Sequence, residues 1–182
     1  GPSPWNYNGT ESVTNVPAGV VDWVLLEVRG DITWSSILAK RAALLRSDGR
    51  VVDLDGVTPV SFPTLIPGNY YVTVSQRNHV PIMTSAAIAL SPSSALYDFT
   101  TAQAQAYGTN PMVEVETGVF GLVAGDVTAP NFSVDHADED YVVANSQPSQ
   151  SYWRQDVTLD GLANVTDSTL AHTNIGRTGQ IP

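Results

Sequence analysis

A mainly β fold is predicted: an immunoglobulin-like antiparallel β-sandwich over residues 20–124, after an extended arm over 1–19 and before two small loop–helix units over 125–182. Three observations lead there. Up to Gly125 the chain alternates short apolar or period-two segments with turn signals, the pattern of strands in a sandwich. Beyond Gly125 that pattern stops and a polar motif repeats. The composition, 42% hydrophobic and 14% charged over 182 residues, belongs to a chain that can bury a core, not to a disordered one.

The arm over 1–19 is rich in Pro, Asn, Ser, Thr and Gly. Val20 to Arg29 is the strongest strand signal. Ala42 to Arg46 and Val51 to Leu54 flank Ser47-Asp48-Gly49-Arg50, a hairpin turn signal, and Asp55-Gly56 ends the second arm. Val60 to Leu65 continues the series, as does Tyr70 to Gln76 after the turn at Pro67-Gly68-Asn69. Arg77-Asn78-His79 reads as a turn before Val80 to Ser85. Ala87 to Leu90, Leu96 to Phe99, Met112 to Glu116 and Val119 to Ala124 complete eight to ten strands, and Ala102 to Ala106 has room for one helical turn. The polar stretch 145–150 separates the two later units, Ser168 to Asn174 is a predicted exit helix, and 177–182 is a tail.

The motif with the most chemical content is Asp156-Val-Thr158-Leu-Asp160-Gly161-Leu162-Ala-Asn164-Val-Thr-Asp167. Oxygen-bearing side chains fall at positions 1, 3, 5, 9 and 12 of a twelve-residue loop with glycine at 6, the spacing of an EF-hand-type loop. Calcium (Ca2+) takes six to eight oxygen ligands at about 2.3–2.6 Å. The predicted metal ligands are Asp156, Thr158, Asp160, the carbonyl of Leu162, Asn164 and Asp167. Asp126-Val-Thr128 repeats this start thirty residues earlier. With one inserted residue after Thr128, Asp138 falls on Asp167. Asp126, Thr128, Asp135 and Asp138 form a second, weaker candidate site, in which Pro130-Asn131 stand where Asp160-Gly161 stand in the other loop.

A net charge of −10 argues against nucleic acid and against anionic membrane surfaces, which require a basic face. Residues 126–182 hold eight Asp/Glu and two Arg, so the acid is concentrated where the loops are. No cysteine is present, which excludes disulfides and thiol chemistry. No segment is apolar for long enough to insert in a membrane as a helix.

Catalytic signals are weak. His79, His136 and His172 have no metal-ligand spacing, and His79 in its turn reads as a structural hydrogen-bonding group. No nucleophile elbow or phosphate-binding glycine loop occurs. Glu114 and Glu116 share one strand face, where two exposed charges are a plainer account than a glycosidase pair. A protein that is not an enzyme is predicted. Trp34 and Tyr152-Trp153 are candidates for a glycan-stacking platform, the mark of a carbohydrate-binding or adhesion module; packing between the two regions accounts for Trp153 equally well. Asn8, Asn131 and Asn164 fit the N-glycosylation pattern, which is short and frequent by chance.

The chain resembles the C-terminal part of large secreted surface proteins of Bacteroidota-type bacteria, in which a β-domain precedes a dockerin-like calcium repeat. The stretches that carry the resemblance are Val21-Asp-Trp-Val-Leu-Leu-Glu-Val-Arg29, Arg41-Ala-Ala-Leu-Leu-Arg-Ser-Asp-Gly49, Gly68-Asn-Tyr-Tyr-Val72, Arg77-Asn-His79, Tyr97-Asp-Phe-Thr100 and Ala124-Gly-Asp126. Dockerin modules are similar in having two calcium loops with Asp at position 12, as at Asp167; the Pro130-Asn131 pair departs from them. The resemblance implies an extracellular, non-catalytic structural, assembly or adhesion role at the cell surface, through self-association or another surface protein. An arm lent as a strand to the next protomer would cover an exposed sheet edge and build a filament, by a head-to-tail contact that does not close.

Overall fold

The computed structural model describes residues 7–128 and 131–182. The first six residues of the predicted arm, and Pro130 of the first loop, lie outside them. The architecture is mainly antiparallel β with few helices. The strands are β1 (Val20–Arg29), β2 (Ile37–Arg46), β3 (Val51–Val52), β4 (Gly68–Gln76), β5 (His79–Met83), β6 (Ile88–Leu90), β7 (Val113–Glu116) and β8 (Val119–Gly121). They are followed by helices α1 (His136–Ala144) and α2 (Val165–Thr173). The main sheet runs β3-β2-β1-β4-β5, with β6 on the first part of β4, and β7-β8 form a separate hairpin.

The near-continuous apolar run of β1 follows from its place between β2 and β4, where both faces are covered. Successive side chains point to opposite sides. On one side Val24 and Leu26 join Ala43, Val74 and Ile82 in the core, under Ala106 and Met112 and against Phe62, Phe99, Phe120 and Leu122. The irregular chain before β7, with β8, is thus the second layer. On the other side Glu27 is 2.8 Å from Arg29 and 2.6 Å from Lys40. Arg29 is fully buried and lies 4.0 Å from the Trp34 ring centre.

Several predicted strands are shorter or absent for physical reasons. The arm Val51 to Leu54 stops at Val52, because the chain turns at Asp53, whose carbonyl accepts from the Gly56 amide (2.9 Å). Val60 to Leu65 forms no strand: Pro59, Pro63 and Pro67 remove ladder donors at four-residue intervals. Val60 and Phe62 still pack on the core, which is the alternation that imitates a strand. Leu96 to Phe99 ends in a helical turn over Phe99–Thr101, capped by Asp98. The turn predicted within Ala102 to Ala106 is present over Gln103–Gln105. Helix α2 begins three residues before the predicted Ser168, because Asn164 caps it. Of the arm, Tyr7 lies against the chain's own β2: its hydroxyl donates to Glu11 (2.6 Å) and sits 3.4 Å from the Lys40 carbonyl.

The buried charges on β1 give a first expectation. Glu27→Ala leaves Arg29 without its carboxylate and costs about 3–5 kcal/mol in a urea titration. Replacing both, as Glu27→Leu with Arg29→Met, costs less than the single change.

Candidate metal centre

The second loop is organised by two buried carboxylates at its ends, Asp156 and Asp167. Asp156 Oδ2 accepts from the Gly161 amide (2.9 Å) and Oδ1 from the Asp160 amide (3.1 Å). Gly161 has φ of 87°, a turn in which its lack of Cβ is used, and Leu159 is held at φ of 62°. Asp167 Oδ1 accepts from the amides of Val157 (2.9 Å) and Thr158 (3.0 Å) and from Thr158 Oγ1 (2.9 Å). Its Oδ2 accepts from the Asn164 amide (2.8 Å), and Asn164 Oδ1 from Thr166 (2.8 Å), a capping box that starts α2.

Of the six predicted ligands, positions 1, 3 and 12 are brought together. Positions 5 and 9 are used locally: Asp160 Oδ1 accepts from the Leu162 amide (2.8 Å) and Asn164 caps the helix. Among the described residues no three His, Asp or Glu side chains form a ready-made metal cluster.

The first loop repeats the position-12 bonds of this arrangement. Asp138 Oδ1 accepts from Val127 (2.9 Å), Thr128 N (2.8 Å) and Thr128 Oγ1 (2.9 Å), and its Oδ2 accepts from Asp135 N (2.9 Å). Asp135 caps α1 as Asn164 caps α2. Asp126 Oδ2 accepts from Phe132 N (3.1 Å), the bond Gly161 makes in the other loop, so the extra residue lies between Thr128 and Phe132, and Phe132 rather than the expected Asn131 stands at the Gly161 position. Phe132 takes φ of 59° there. The units share a core of Ala124, Val127, Val142, Val157 and Ala171. Each loop also pairs with the chain that follows the other helix: Ala163 with Gln147, and Val134 with Gly176 and Arg177.

These carboxylates crowd one another. Burial, and then the Asp138 carboxylate, push Asp126 up to about 7 against the amides of Phe132 and Asn131. Burial also raises Asp156, opposed chiefly by the Gly161 amide and the Arg77 guanidinium. Among the described residues Asp126 Oδ1 is buried without a hydrogen-bond partner. An oxygen-seeking cation fits this chemistry: it would satisfy that atom and relieve the repulsion between positions 1 and 12.

The other candidates have structural partners. Trp34 stacks on Phe132 (5.6 Å between ring centres) and covers Arg29. Trp153 Nε1 donates to the Ser149 carbonyl (2.8 Å), and the Tyr152 ring lies on Arg77 (4.2 Å). Glu114 accepts from Gly118 N (2.8 Å) within its hairpin. His136 and His172 both face Glu139, and His172 (3.0 Å) thereby ties α2 to α1. His79 Nδ1 lies 2.8 Å from Gln76 Oε1 and 2.7 Å from Asn78 Oδ1.

Sequence reasoning missed the junction at the head of the second loop. Asp22 accepts from Gln76 Nε2 (2.5 Å), Arg77 Nε (2.8 Å) and the Tyr152 hydroxyl (2.5 Å). Arg77 also donates to the Trp153 carbonyl. Asn78 Nδ2 donates to the carbonyls of Arg154 (2.9 Å) and Asp156 (2.7 Å). The available signal was three polar residues in a tight turn between two apolar strands.

No family model matches the chain, and no curated protein matches it. Two solved structures are similar in outline, both of type II Cohesin-X-Dockerin complexes from Acetivibrio cellulolyticus. A chain of the N-terminal interface mutant complex has 14% identity and a TM-score of 0.49 over 93% of this chain and 90% of its own. A chain of the C-terminal interface mutant complex has 15% identity and a TM-score of 0.49 over 94% and 93%. A likeness at that level does not say what this chain binds.

Two expectations follow from this geometry. In chelator, Asp167→Ala strands three amides and removes the second half of a capping box, lowering stability by about 3 kcal/mol or more in a denaturant titration. The second concerns His79, which burial and then Arg77 hold at about 4, below its usual 6.5. The unfolded chain therefore takes up a proton that the folded one refuses. Stability from this group is full above about 6.5 and falls as pH drops toward about 4. His79→Gln flattens that dependence, read as the difference in denaturation midpoint between pH 7 and pH 5 (about two units apart).

Proposed function

We propose that residues 125–182 are a dockerin-like calcium-binding region seated on an immunoglobulin-like β region over 20–124. The whole chain then serves as a non-catalytic structural or adhesion module outside the cell, joining another surface protein or a second copy of itself. One observation carries this reading. The same loop–helix unit occurs twice, with a buried aspartate at position 1, a threonine at 3 and a buried aspartate at 12 each time. Asp156, Thr158 and Asp167 would hold the ion in the second loop, with Asp160, Asn164 and the Leu162 carbonyl turning toward it. Asp126, Thr128 and Asp138 would do so in the first, with Asp135.

Calcium supplies charge neutralisation here, not chemistry. Millimolar calcium outside the cell suits a structural ion. Among the described residues no helix is long and apolar enough to cross a membrane.

The test is thermal unfolding in millimolar calcium and in excess chelator. A site binding at about 10 μM adds roughly 2.7 kcal/mol in millimolar calcium, which raises the melting temperature by about 5–10 °C for a chain of this size. Asp156→Ala removes most of that rise; in chelator it lowers the melting temperature through the Asp160 and Gly161 amides it strands, so the readout is the difference between the two conditions. Identical melting of the natural chain in both conditions would overturn the proposal.

A further inference from the structure

We infer that Arg77 is a tethered cation that competes with the divalent ion for Asp156, and that Asp22 restrains it, so that this pair sets the affinity of the second loop. The inference rests on the calcium reading above and adds residues that lie outside the loop.

Arg77 enters from the two-residue turn between β4 and β5 and is nearly fully buried. Its Nε is 2.8 Å from Asp22 Oδ2, whereas its Nη2 is 3.9 Å from Asp156 Oδ2. The guanidinium is therefore bonded to the sheet's carboxylate and only adjacent to the loop's. Nη2 also faces the Asp156 carbonyl at 3.5 Å, and the Tyr152 ring, 4.2 Å away, closes the other side. Asp22 is itself buried and accepts four bonds, from Trp23 N (2.7 Å), Gln76, Arg77 and Tyr152.

Charges this close in a site shielded from water interact strongly. A divalent ion on Asp156 meets the positive charge of Arg77 a few ångströms behind its first ligand. Before the ion arrives, the same guanidinium lowers the cost of the buried Asp156 carboxylate. Both effects weaken ion binding. The position-1 aspartate of the first loop is in a different state, because Asp126 Oδ1 has no hydrogen-bond partner among the described residues.

The experiment is isothermal titration of calcium chloride into the full chain, freed of metal by chelator, in an Asp126→Ala background that isolates the second loop. Arg77→Gln keeps a side-chain donor without the charge, and is expected to tighten calcium binding at least tenfold. Asp22→Asn loosens the hold on Arg77, leaves Asp156 as its nearest carboxylate, and is expected to weaken binding at least tenfold. Both neutral substitutions disturb the same junction, so simple loss of order shifts both affinities downward; opposite signs arise only from competition. Binding by Arg77→Gln that is unchanged or weaker overturns the inference. If that variant does not fold, Asp22→Asn decides alone, and unchanged or tighter binding there overturns it. Absence of calcium uptake by the parent and every variant overturns instead the calcium reading, and this inference with it.

Discussion

The relation between the sheet and the paired loops depends on one turn, Arg77-Asn78. Because it is only two residues long, both side chains leave the end of the sheet in one place. Arg77 joins Asp22 on β1 to the chain entering the second loop. Asn78 binds the carbonyls of Arg154 and Asp156 through its side chain, and its own carbonyl accepts from Gly125 N (2.8 Å). The residues that open both loops are thereby fixed to the same two-residue turn. The approach is close: Gly125 has φ of 123°, and a Cβ there would lie 3.1 Å from the Ala171 Cα of α2. Glycine is required at that point by the space as well as by the backbone angle.

A second attachment has the same logic. Phe132, whose amide closes the first loop on Asp126, stacks its ring on Trp34, which covers the guanidinium of Arg29. The chain carries 8 Lys and Arg against 18 Asp and Glu. Two of those scarce arginines are nearly or fully buried, Arg77 beside the second loop and Arg29 under the Trp34 ring. Buried arginines are costly unless paired, and both are paired, with Asp22 and with Glu27.

Legibility in the sequence followed the length scale of each signal. Local signals were plain. The run of β1, the Ser47–Arg50 hairpin and the loop repeat with its single insertion can all be located from residue type and spacing. Signals that depend on what a segment packs against were not. Val60 to Leu65 alternates like a strand because Val60 and Phe62 reach the core, yet proline denies it a ladder. The second layer is mostly irregular chain, which has no period to read. Within the loops, spacing located the oxygen-bearing side chains but not their orientation: Asp160 and Asn164 satisfy a turn and a helix end. Asp22 lies more than fifty residues from Arg77 and far more from Tyr152, and no spacing rule connects them.

Threonine at position 3 of both loops has a physical reason. The position-12 carboxylates, Asp138 and Asp167, are fully buried, and each accepts four hydrogen bonds from its own loop. A third carboxylate at position 3 would add another buried negative charge to an aspartate pair that is already crowded. A hydroxyl adds none, and it can either donate or accept. Thr128 and Thr158 donate to the position-12 carboxylates in this structure, and the same oxygens keep lone pairs for a cation. The loops therefore close and start their helices through hydrogen bonds of their own. What a bound cation would contribute is relief of charge between positions 1 and 12 rather than the folding of the loop.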